Sequence, residues 1–154
     1  MAVTGTSTYR VRAATIEDLG QLCELAGQLL TQIRAEGTAD DARRVFEHVM
    51  KSSELGIVLL AEQGSAVVGY AYAAYPWRAE FGGETMDIVA VFVADQWRSK
   101  GVGSALVSAL LDNARQRGIQ RISSEVHPGN SAVERTLESS GFDPERRTLW
   151  GRRL

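Results

Sequence analysis

The most constraining feature of this chain is a glycine-containing turn between a strand pattern and a helix pattern. Residues 98–103, Arg-Ser-Lys-Gly-Val-Gly, follow the apolar run 88–93 and precede the helical pattern 104–117. Glycine lets the backbone approach a ligand closely, and the free N–H groups at a helix start attract phosphate. The cations Arg98 and Lys100 suit a pyrophosphate better than a purely structural turn. We therefore predict that a phosphorylated cofactor binds here, with a solvated glycine turn as the alternative.

The spacing of the glycines distinguishes between three phosphate-binding motifs. A P-loop requires Gly-x-x-x-x-Gly-Lys-Ser/Thr, which the chain does not contain. A dinucleotide fingerprint requires Gly-x-Gly-x-x-Gly directly after a strand, but Leu106 occupies the third glycine position and residues 94–100 intervene. Glu125 lies near the distance expected for a ribose-binding acid, so an NAD-binding oxidoreductase remains an alternative. The remaining motif is Arg-x-x-Gly-x-Gly.

Four features, in order along the chain, resemble the GNAT superfamily of acyl-CoA N-acyltransferases. Residues 98–103 resemble its motif A, whose Arg/Gln-x-x-Gly-x-Gly/Ala loop holds the pyrophosphate of coenzyme A. Residues 87–93 resemble its central strand, and residues 12–19 resemble its usual opening. Asn130-Ser131-Ala132, followed by Gly141-Phe142, resembles its motif B. The resemblance covers nearly the whole chain and implies an N-acetyltransferase that uses acetyl-CoA as co-substrate, without a metal.

The resemblance also implies which residues hold coenzyme A. The central strand would separate from the next strand, leaving backbone groups near Val91, Phe92 and Val93 free to bond the pantetheine arm. Asn130 would bond the same arm, with a plain helix N-cap as the alternative. The pyrophosphate would lie against the turn and the helix start, formed by Arg98, Ser99, Lys100, Gly101, Val102, Gly103 and Ser104.

The implied reaction is acetyl transfer from a thioester to a primary amine by direct attack in a ternary complex. An amine with a pKa of ~10 is protonated at neutral pH, so a base must accept its proton, directly or through water. Asp87 is the first candidate, because many family members carry an acid at this place on the central strand. Glu84 is the second candidate, and His127 at a strand end is the third. The alternatives are a surface carboxylate for Glu84 and a turn-lining histidine for His127.

One position departs from the family pattern. Family members usually carry a tyrosine seven residues after the asparagine, as general acid toward coenzyme A, but this chain has Leu137 there. Either another group or water protonates the thiolate, or the protein is a non-catalytic acyl-CoA-binding sensor. We favour catalysis, because a missing general acid typically costs only ~10²–10⁴-fold in rate. A backbone N–H of the central strand, that of Val91, is expected to stabilise the oxyanion.

Composition limits the class of protein and its partners. The 154 residues, 44% of them hydrophobic, predict one domain over residues 9–154 after a disordered N-terminus, residues 1–8. A net charge of −2 argues against nucleic-acid binding. No apolar run could span a bilayer and no leader pattern is recognised, so we expect a cytoplasmic protein without membrane contact. One cysteine and two distant histidines argue against a metal site. Expected partners are a small-molecule amine or peptide acceptor and a second copy in a homodimer.

Hydrophobic periodicity and turn residues predict an α/β (α+β) fold with a mixed central sheet of six to seven strands and about four flanking helices. The predicted helices cover residues 15–37, 38–52, 102–118 and 130–139. The predicted strands cover residues 9–13, 56–62, 66–75, 84–93 and 119–126, with a final sheet edge formed by Phe142 and residues 148–152.

Overall fold

The computed structural model describes residues 9–154, so the predicted disordered segment 1–8 lies outside the described residues. Seven strands and four α-helices confirm the predicted mixed α/β fold. The helices are α1 (Leu19–Gln32), α2 (Ala39–Met50), α3 (Val102–Gln116) and α4 (Ser131–Ser139). The strands are β1 (Arg10–Ala13), β2 (Gly56–Gln63), β3 (Ala66–Ala74), β4 (Trp77–Arg78), β5 (Gly83–Glu84), β6 (Met86–Val93) and β7 (Ile122–Ser124).

Five strands form the main sheet, in the order β1-β2-β3-β6-β7, and β4 pairs with β5 in a separate two-stranded sheet. The pairs from β1 to β6 are antiparallel, whereas β7 lies parallel to β6. A parallel pair requires a crossover, which α3 supplies. This crossover brings the N-terminus of α3 to the C-terminal end of β6.

Apolar side chains cover both faces of the sheet. Leu106 and Leu110 of α3 are fully buried in one layer, which Leu137 of α4 joins. The other layer contains buried side chains of α1 and α2, such as Leu22 and Phe46. Because side chains alternate along a strand, neighbouring residues of β6 contribute to different layers. The sheet is therefore covered by two helices on each face.

The first helix is shorter than the predicted range 15–37, because a 3-10 turn, Ile16–Asp18, follows Thr15 before α1 begins, and α1 ends at Gln32. Asp18 accepts the backbone N–H of Thr15 at 2.7 Å, which satisfies one free donor at the helix start. The same carboxylate accepts two hydrogen bonds from the Arg12 guanidinium, at 2.8 and 2.9 Å. These bonds, led by those from Arg12, lower the pKa of Asp18 to about 2. The contact joins β1 to the start of α1.

The predicted start of β6 is wrong by two residues. The N–H and the hydroxyl of Thr85 both donate to the carbonyl of Pro76, at 2.8 and 3.0 Å. Glu84 pairs with Trp77 in the small sheet instead of continuing into β6. The side-chain and main-chain bonds of Thr85 therefore interrupt the strand, which resumes at Met86.

The predicted end of the sheet is also wrong. β7 is shorter than the predicted strand 119–126, because its pairing with β6 ends at Ile88. Phe142 donates its N–H to Leu137 at 3.0 Å, in the turn after α4, and belongs to no strand. Residues 143–154 form no helix or strand, and all of them are exposed. A strand requires a paired neighbour, and within residues 9–154 this segment has none. Within residues 9–154, no helix is long and apolar enough to cross a membrane.

Candidate active site

A gap opens between β6 and β7 beyond Ile88. The two strands pair only where Met86, Asp87 and Ile88 face β7. At the end of this pairing, the Ser124 hydroxyl donates to the Ile88 carbonyl at 3.0 Å. β6 then continues to Val93 with only β3 beside it.

A bulge in β6 coincides with the start of the gap. Tyr72 of β3 pairs with Ala90, while the next residue, Ala73, pairs with Ile88, so Val89 is an extra residue in β6. Such a bulge bends a strand and increases its local twist. The Val89 side chain is 55% exposed, which leaves this part of the strand open to solvent.

The backbone amides of Val91 and Val93 face the gap. The next residue, Ala94, donates its N–H to Val68 beside β3 at 2.9 Å. Because amide directions alternate along an antiparallel strand, the amides of Val93 and Val91 point away from β3. The carbonyl of Val93 accordingly accepts a bond from Arg98 rather than from β3. The gap thus presents one free strand edge to an extended ligand.

A cavity of about 610 Å³ connects this gap to the N-terminus of α3. Its walls come from the end of β6, from the turn before α3 and the first residues of α3, from one side of α4, and from the end of α1. Lys100 is not among its lining residues. Every other residue predicted to bind the cofactor lines the cavity, namely Val91, Phe92, Val93, Arg98, Ser99, Gly101, Val102, Gly103, Ser104 and Asn130.

The turn before α3 has a conformation that glycine favours. Gly101 has φ +85°, in the left-handed region that side chains with a Cβ rarely adopt. The following N–H groups of Val102, Gly103 and Ser104 have no partner within the helix, because the first turn lacks preceding carbonyls. A Cβ on Gly103 would lie 3.3 Å from the Thr136 hydroxyl, so this glycine allows α4 to approach α3. These N–H groups and the positive end of the helix dipole lie on the cavity wall, an arrangement that suits an anion.

Both predicted cations of the turn have protein partners. The Arg98 guanidinium donates to the carbonyl of Val93 at 3.0 Å and to the side chain of Gln32 at 2.8 Å, and it pairs with Asp95 at 3.1 Å. The ammonium of Lys100 lies 5.2 Å from the ring centre of Trp97. Arg98 therefore fastens the end of β6 to α1.

Arg135 is a cavity residue that the sequence reasoning missed. It lines the cavity from α4 and is exposed, and within residues 9–154 its guanidinium has neither a hydrogen bond nor an ion pair. The sequence contained a signal, because Arg135 lies one helical turn after Ser131 and both face the same side of α4. A free guanidinium is well suited to a phosphate group.

Asn130 stands at the N-cap position of α4, but its side chain makes no capping hydrogen bond. The side chain lines the cavity and, among the described residues, has no hydrogen-bond partner. An amide can both donate and accept hydrogen bonds. The arrangement favours a ligand contact over the plain N-cap alternative.

Asp87 lies beside the start of the gap, with both carboxylate oxygens engaged. Oδ1 accepts the Ser123 hydroxyl at 2.7 Å, and Oδ2 pairs with the Arg78 guanidinium at 3.0 Å. The side chain remains about one-third exposed. These donors hold a partly accessible carboxylate two residues from the bulge at Val89.

Glu84 and His127 lie in different surroundings from Asp87. The carboxylate of Glu84 accepts two bonds from Arg117, at 2.8 and 3.2 Å, and these bonds raise the pKa of the guanidinium. Arg117 directly follows α3, so this ion pair lies at the opposite end of the helix from the cavity. His127 is exposed in the turn before α4, and its backbone carbonyl accepts the N–H of Asn130 at 3.1 Å.

Comparison with known families identifies the family of the chain. A model of the Acetyltransferase (GNAT) family matches residues 21–142. The chain belongs to the GNAT acetyltransferase family. Membership supports acyltransferase activity in general and confirms the resemblance drawn from the motifs. A comparison with curated proteins gives no match.

Solved structures share this GNAT fold over almost the whole chain. An integron cassette protein from the mobile metagenome of Cole Harbour Salt Marsh is 25% identical, with a TM-score of 0.82 over 94% of this chain and 90% of that one. Aminoglycoside N-acetyltransferase AAC(6')-Iy, solved with CoA, is 18% identical, with a TM-score of 0.82 over 99% of each chain. A "predicted acetyltransferase" from Clostridium acetobutylicum, solved with acetyl-CoA, is 17% identical, with a TM-score of 0.78 over 94% and 96%.

The position of the usual GNAT tyrosine, Leu137, is buried in this chain. Its side chain is 6% exposed and packs in the core layer with α3. It therefore supplies neither a proton nor a polar contact to the cavity. Within residues 9–154, no group of three or more His, Cys, Asp or Glu side chains could hold a metal ion.

A second, more open cavity of about 940 Å³ lies along α1 on the other side of Arg98. Gln32, Phe92 and Arg98 line both cavities, so the Arg98 side chain stands between them. The carboxylates of Glu24 and Asp95 line only the second cavity. Arg98 thus links the turn before α3 to the helix α1 that borders this second space.

Proposed function

We propose that the protein is an N-acetyltransferase, which moves an acetyl group from acetyl-CoA to a primary amine of a small molecule or peptide. The observation that carries the proposal is one cavity that joins the free edge of β6 to the N-terminus of α3. An extended, phosphorylated thioester needs both features, because its arm is bonded by backbone groups and its phosphates by N–H donors. Residues 9–154 act as one domain in this proposal.

The cofactor would extend from α3 toward the bulge. The N–H groups of Gly103 and Ser104 bind the pyrophosphate. Arg98 is already bonded to protein groups, so Arg135 provides a second positive charge for the phosphates. Asn130 and the amide of Val93 bond the pantetheine arm, while the amide of Val91 is directed at the thioester oxygen of the same cofactor. In relatives that share the fold, CoA or acetyl-CoA is named as the bound molecule, which supports a CoA-type co-substrate.

The reaction would take place between Asp87 and Val91. The amine must lose a proton before it attacks, and Asp87 accepts that proton, directly or through one water. The nitrogen then forms a bond to the thioester carbonyl carbon, and the developing oxyanion is stabilised by the Val91 N–H. Val89, exposed between these two residues, leaves the acceptor a path to the carbonyl carbon.

The tetrahedral intermediate collapses when the bond between carbon and sulfur breaks. The nitrogen gives its second proton to water in the same step, and the products are an amide and the thiolate of coenzyme A. A thiol with a pKa of about 8.5 leaves as a thiolate without prior protonation, and water can protonate it afterwards. Catalysis therefore does not require a proton donor at Leu137, although its absence should lower the rate.

Glu84 and His127 are weaker candidates for the base. Glu84 is engaged by Arg117 at the far end of α3, and His127 is exposed beyond the short strand β7. Asp87 is the only one of the three that directly faces β7 at the start of the gap. We therefore retain Asp87 as the base.

The acceptor that we propose first is a primary amine of a small molecule. AAC(6')-Iy, whose name describes an aminoglycoside N-acetyltransferase, shares the fold over 99% of this chain, which supports an amine acceptor of this size. The second proposed acceptor is the amine of a peptide. The acidic residues of the segments 34–41 and 75–83 would favour a cationic acceptor in either case.

An acyl-CoA sensor without turnover is the second candidate function, and the buried Leu137 favours it. An assay of thiol release from acetyl-CoA with a panel of primary amines separates the two. Release that depends on both acetyl-CoA and amine supports the transferase. Saturable binding of acetyl-CoA without release for any amine supports the sensor, and binding of NAD instead of acetyl-CoA contradicts both.

A further inference from the structure

The sheet face on the side of α1 and α2 is covered unevenly. Tyr70 of β3 and Phe92 of β6 are buried in this layer. Further along the same face, Tyr72, Ala90 and Asp87 are only half-buried. The two helices therefore cover the face well near the end of β6 and less completely near its start, where Asp87 lies.

Asp87 and Tyr72 lie on the same face of the sheet. The neighbours of Asp87 along β6, Met86 and Ile88, are buried in the layer with α3, so the carboxylate lies on the opposite face. The ring of Tyr72 packs edge-on against Phe46 of α2, with 6.2 Å between the ring centres, which places Tyr72 on that face as well. Both polar side chains therefore border the partly open region.

The pairing of β3 with β6 brings Tyr72 close to Asp87. Tyr72 pairs with Ala90, and Ala74 pairs with Asp87, so Tyr72 and Asp87 are diagonal neighbours across the two strands. Diagonal neighbours on one face are about 7–8 Å apart, within the reach of an aromatic side chain. A small molecule whose amine contacts Asp87 therefore lies beside Tyr72.

The hydroxyl of Tyr72 has no hydrogen-bond partner among residues 9–154. By contrast, the hydroxyl of Tyr75 donates to the side chain of Asn113. Burial raises the pKa of Tyr72, so its hydroxyl keeps its proton at neutral pH and can both donate and accept a hydrogen bond. Covering such a group without bonding it costs free energy. A ligand that covers Tyr72 should therefore carry an oxygen that bonds it.

We propose that Tyr72 determines acceptor specificity by exchanging a hydrogen bond with a hydroxyl group on the carbon next to that of the reacting amine. The favoured acceptors are then amino alcohols. Asp87 contacts the amine and Tyr72 contacts the neighbouring oxygen, so the two side chains together orient the acceptor beside the bulge at Val89. This inference rests on the proposed acetyltransferase function and names the acceptor class for the same site.

Acetylation of two matched amines tests the proposal, with thiol release from acetyl-CoA as the signal. Ethanolamine carries the hydroxyl, and propylamine has a methyl group in its place. We expect the ratio of their kcat/KM values to fall roughly 3–10-fold in Tyr72→Phe relative to the wild type, which corresponds to one hydrogen bond between neutral groups. The two amines differ in basicity, but this difference is the same for every variant and cancels in the comparison.

Tyr75→Phe is the matched control. Tyr75 is buried in the layer with α3, and its hydroxyl is bonded to Asn113. This variant should lose thermal stability but keep the wild-type ratio, whereas Tyr72→Phe should keep its stability because no protein partner is lost. An unchanged ratio in Tyr72→Phe, or an equal fall in Tyr75→Phe, overturns the proposal. A loss of stability in Tyr72→Phe also overturns it, because the hydroxyl would then serve the fold.

Failure of the transferase function gives a different result in the same assay. If the wild type releases no thiol with either amine or with any other primary amine, the transferase function is contradicted and the specificity of Tyr72 falls with it. If other primary amines react but ethanolamine does not, only the proposal for Tyr72 is overturned.

Discussion

The Nε of Arg98 donates a hydrogen bond to the backbone carbonyl of Val93 at 3.0 Å. The same guanidinium bonds Gln32 on α1 and pairs with Asp95, and it lies 5.5 Å from the ring centre of Phe92. Arg98 thus holds the end of the central strand in place at the cavity. Its role is geometric as well as electrostatic.

Arg98→Lys tests this geometric role. Lysine keeps the charge, but its single nitrogen cannot occupy the positions of both Nε, which donates to Val93, and Nη2, which contacts Gln32 and Asp95. We expect the free energy of unfolding to fall by about 1–2 kcal/mol and the affinity for acetyl-CoA to fall several-fold. Chemical denaturation and calorimetry measure the two effects. Arg115→Lys is the control, since Arg115 pairs with the exposed Asp112 on the surface of α3. An Arg98→Lys variant with wild-type stability and affinity would show that charge alone matters.

Gly101→Ala tests the conformation of the turn without adding a clash. No atom lies within 4 Å of the new Cβ, so the cost comes from φ +85°. We expect a loss of about 1–2 kcal/mol in stability, or a rearranged turn, with weaker acetyl-CoA binding in both cases. Gly20→Ala is the matched control, because it also has open space and lies in α1 at an ordinary φ. That variant should gain up to about 1 kcal/mol and bind as the wild type does. Equal affinities of the two variants for acetyl-CoA would show that the turn at Gly101 does not contribute to cofactor binding.

Much of the fold can be predicted because its signals are local. The turn at Gly101 and the helix that follows it are marked by glycine and by a regular apolar period, and both occur in the structure. The capping pair of Thr15 and Asp18 is likewise a short-range pattern. Strands are harder to predict from the sequence, because each one depends on a neighbouring strand that is distant in the chain.

The wrong predictions concern segments whose structure depends on a neighbouring strand. Residues 148–152 have strand-forming side chains but no pairing partner in the part of the chain that the structure describes. β7 ends early because β6 diverges from it. The bulge at Val89 depends on register with β3, which no local pattern reveals. The pairing of Glu84 with Arg117 joins residues far apart in sequence, so the carboxylate pattern alone could not separate Glu84 from Asp87.

Asp87→Asn tests the base. If Asp87 accepts the proton of the amine, the variant should lose ~10²–10⁴-fold in kcat, while the KM for acetyl-CoA changes little. Glu84→Gln is the comparison. It should keep most of the activity but lose stability, because Arg117 is left half-buried without its partner. Steady-state kinetics and thermal unfolding give both values. A larger loss of kcat in Glu84→Gln than in Asp87→Asn would transfer the base role to Glu84.

Asp18 makes folding stability depend on pH in the acid range. Its pKa is lowered to about 2 in the folded chain, from an unfolded value near ~4. The unfolded chain therefore binds the proton more readily, so the stabilisation is complete above the unfolded pKa and is lost as pH falls toward about 2. The contribution is on the order of 2 kcal/mol.

Denaturation of wild type and Asp18→Asn between about pH 7 and pH 2 measures this contribution. The two proteins should differ most near neutral pH and converge in acid. Asp112→Asn, at an exposed pair with Arg115, should change little at any pH. A constant difference between wild type and Asp18→Asn across the range would mean that the ion pair with Arg12 does not carry the stabilisation.

The central claim is that acetyl-CoA binds in the cavity between β6 and the start of α3. Isothermal titration of the purified protein with acetyl-CoA tests it most directly, with NAD as the control ligand. We predict saturable binding of one acetyl-CoA per chain and no binding of NAD. An absence of heat with acetyl-CoA, or saturable binding of NAD, would contradict the account.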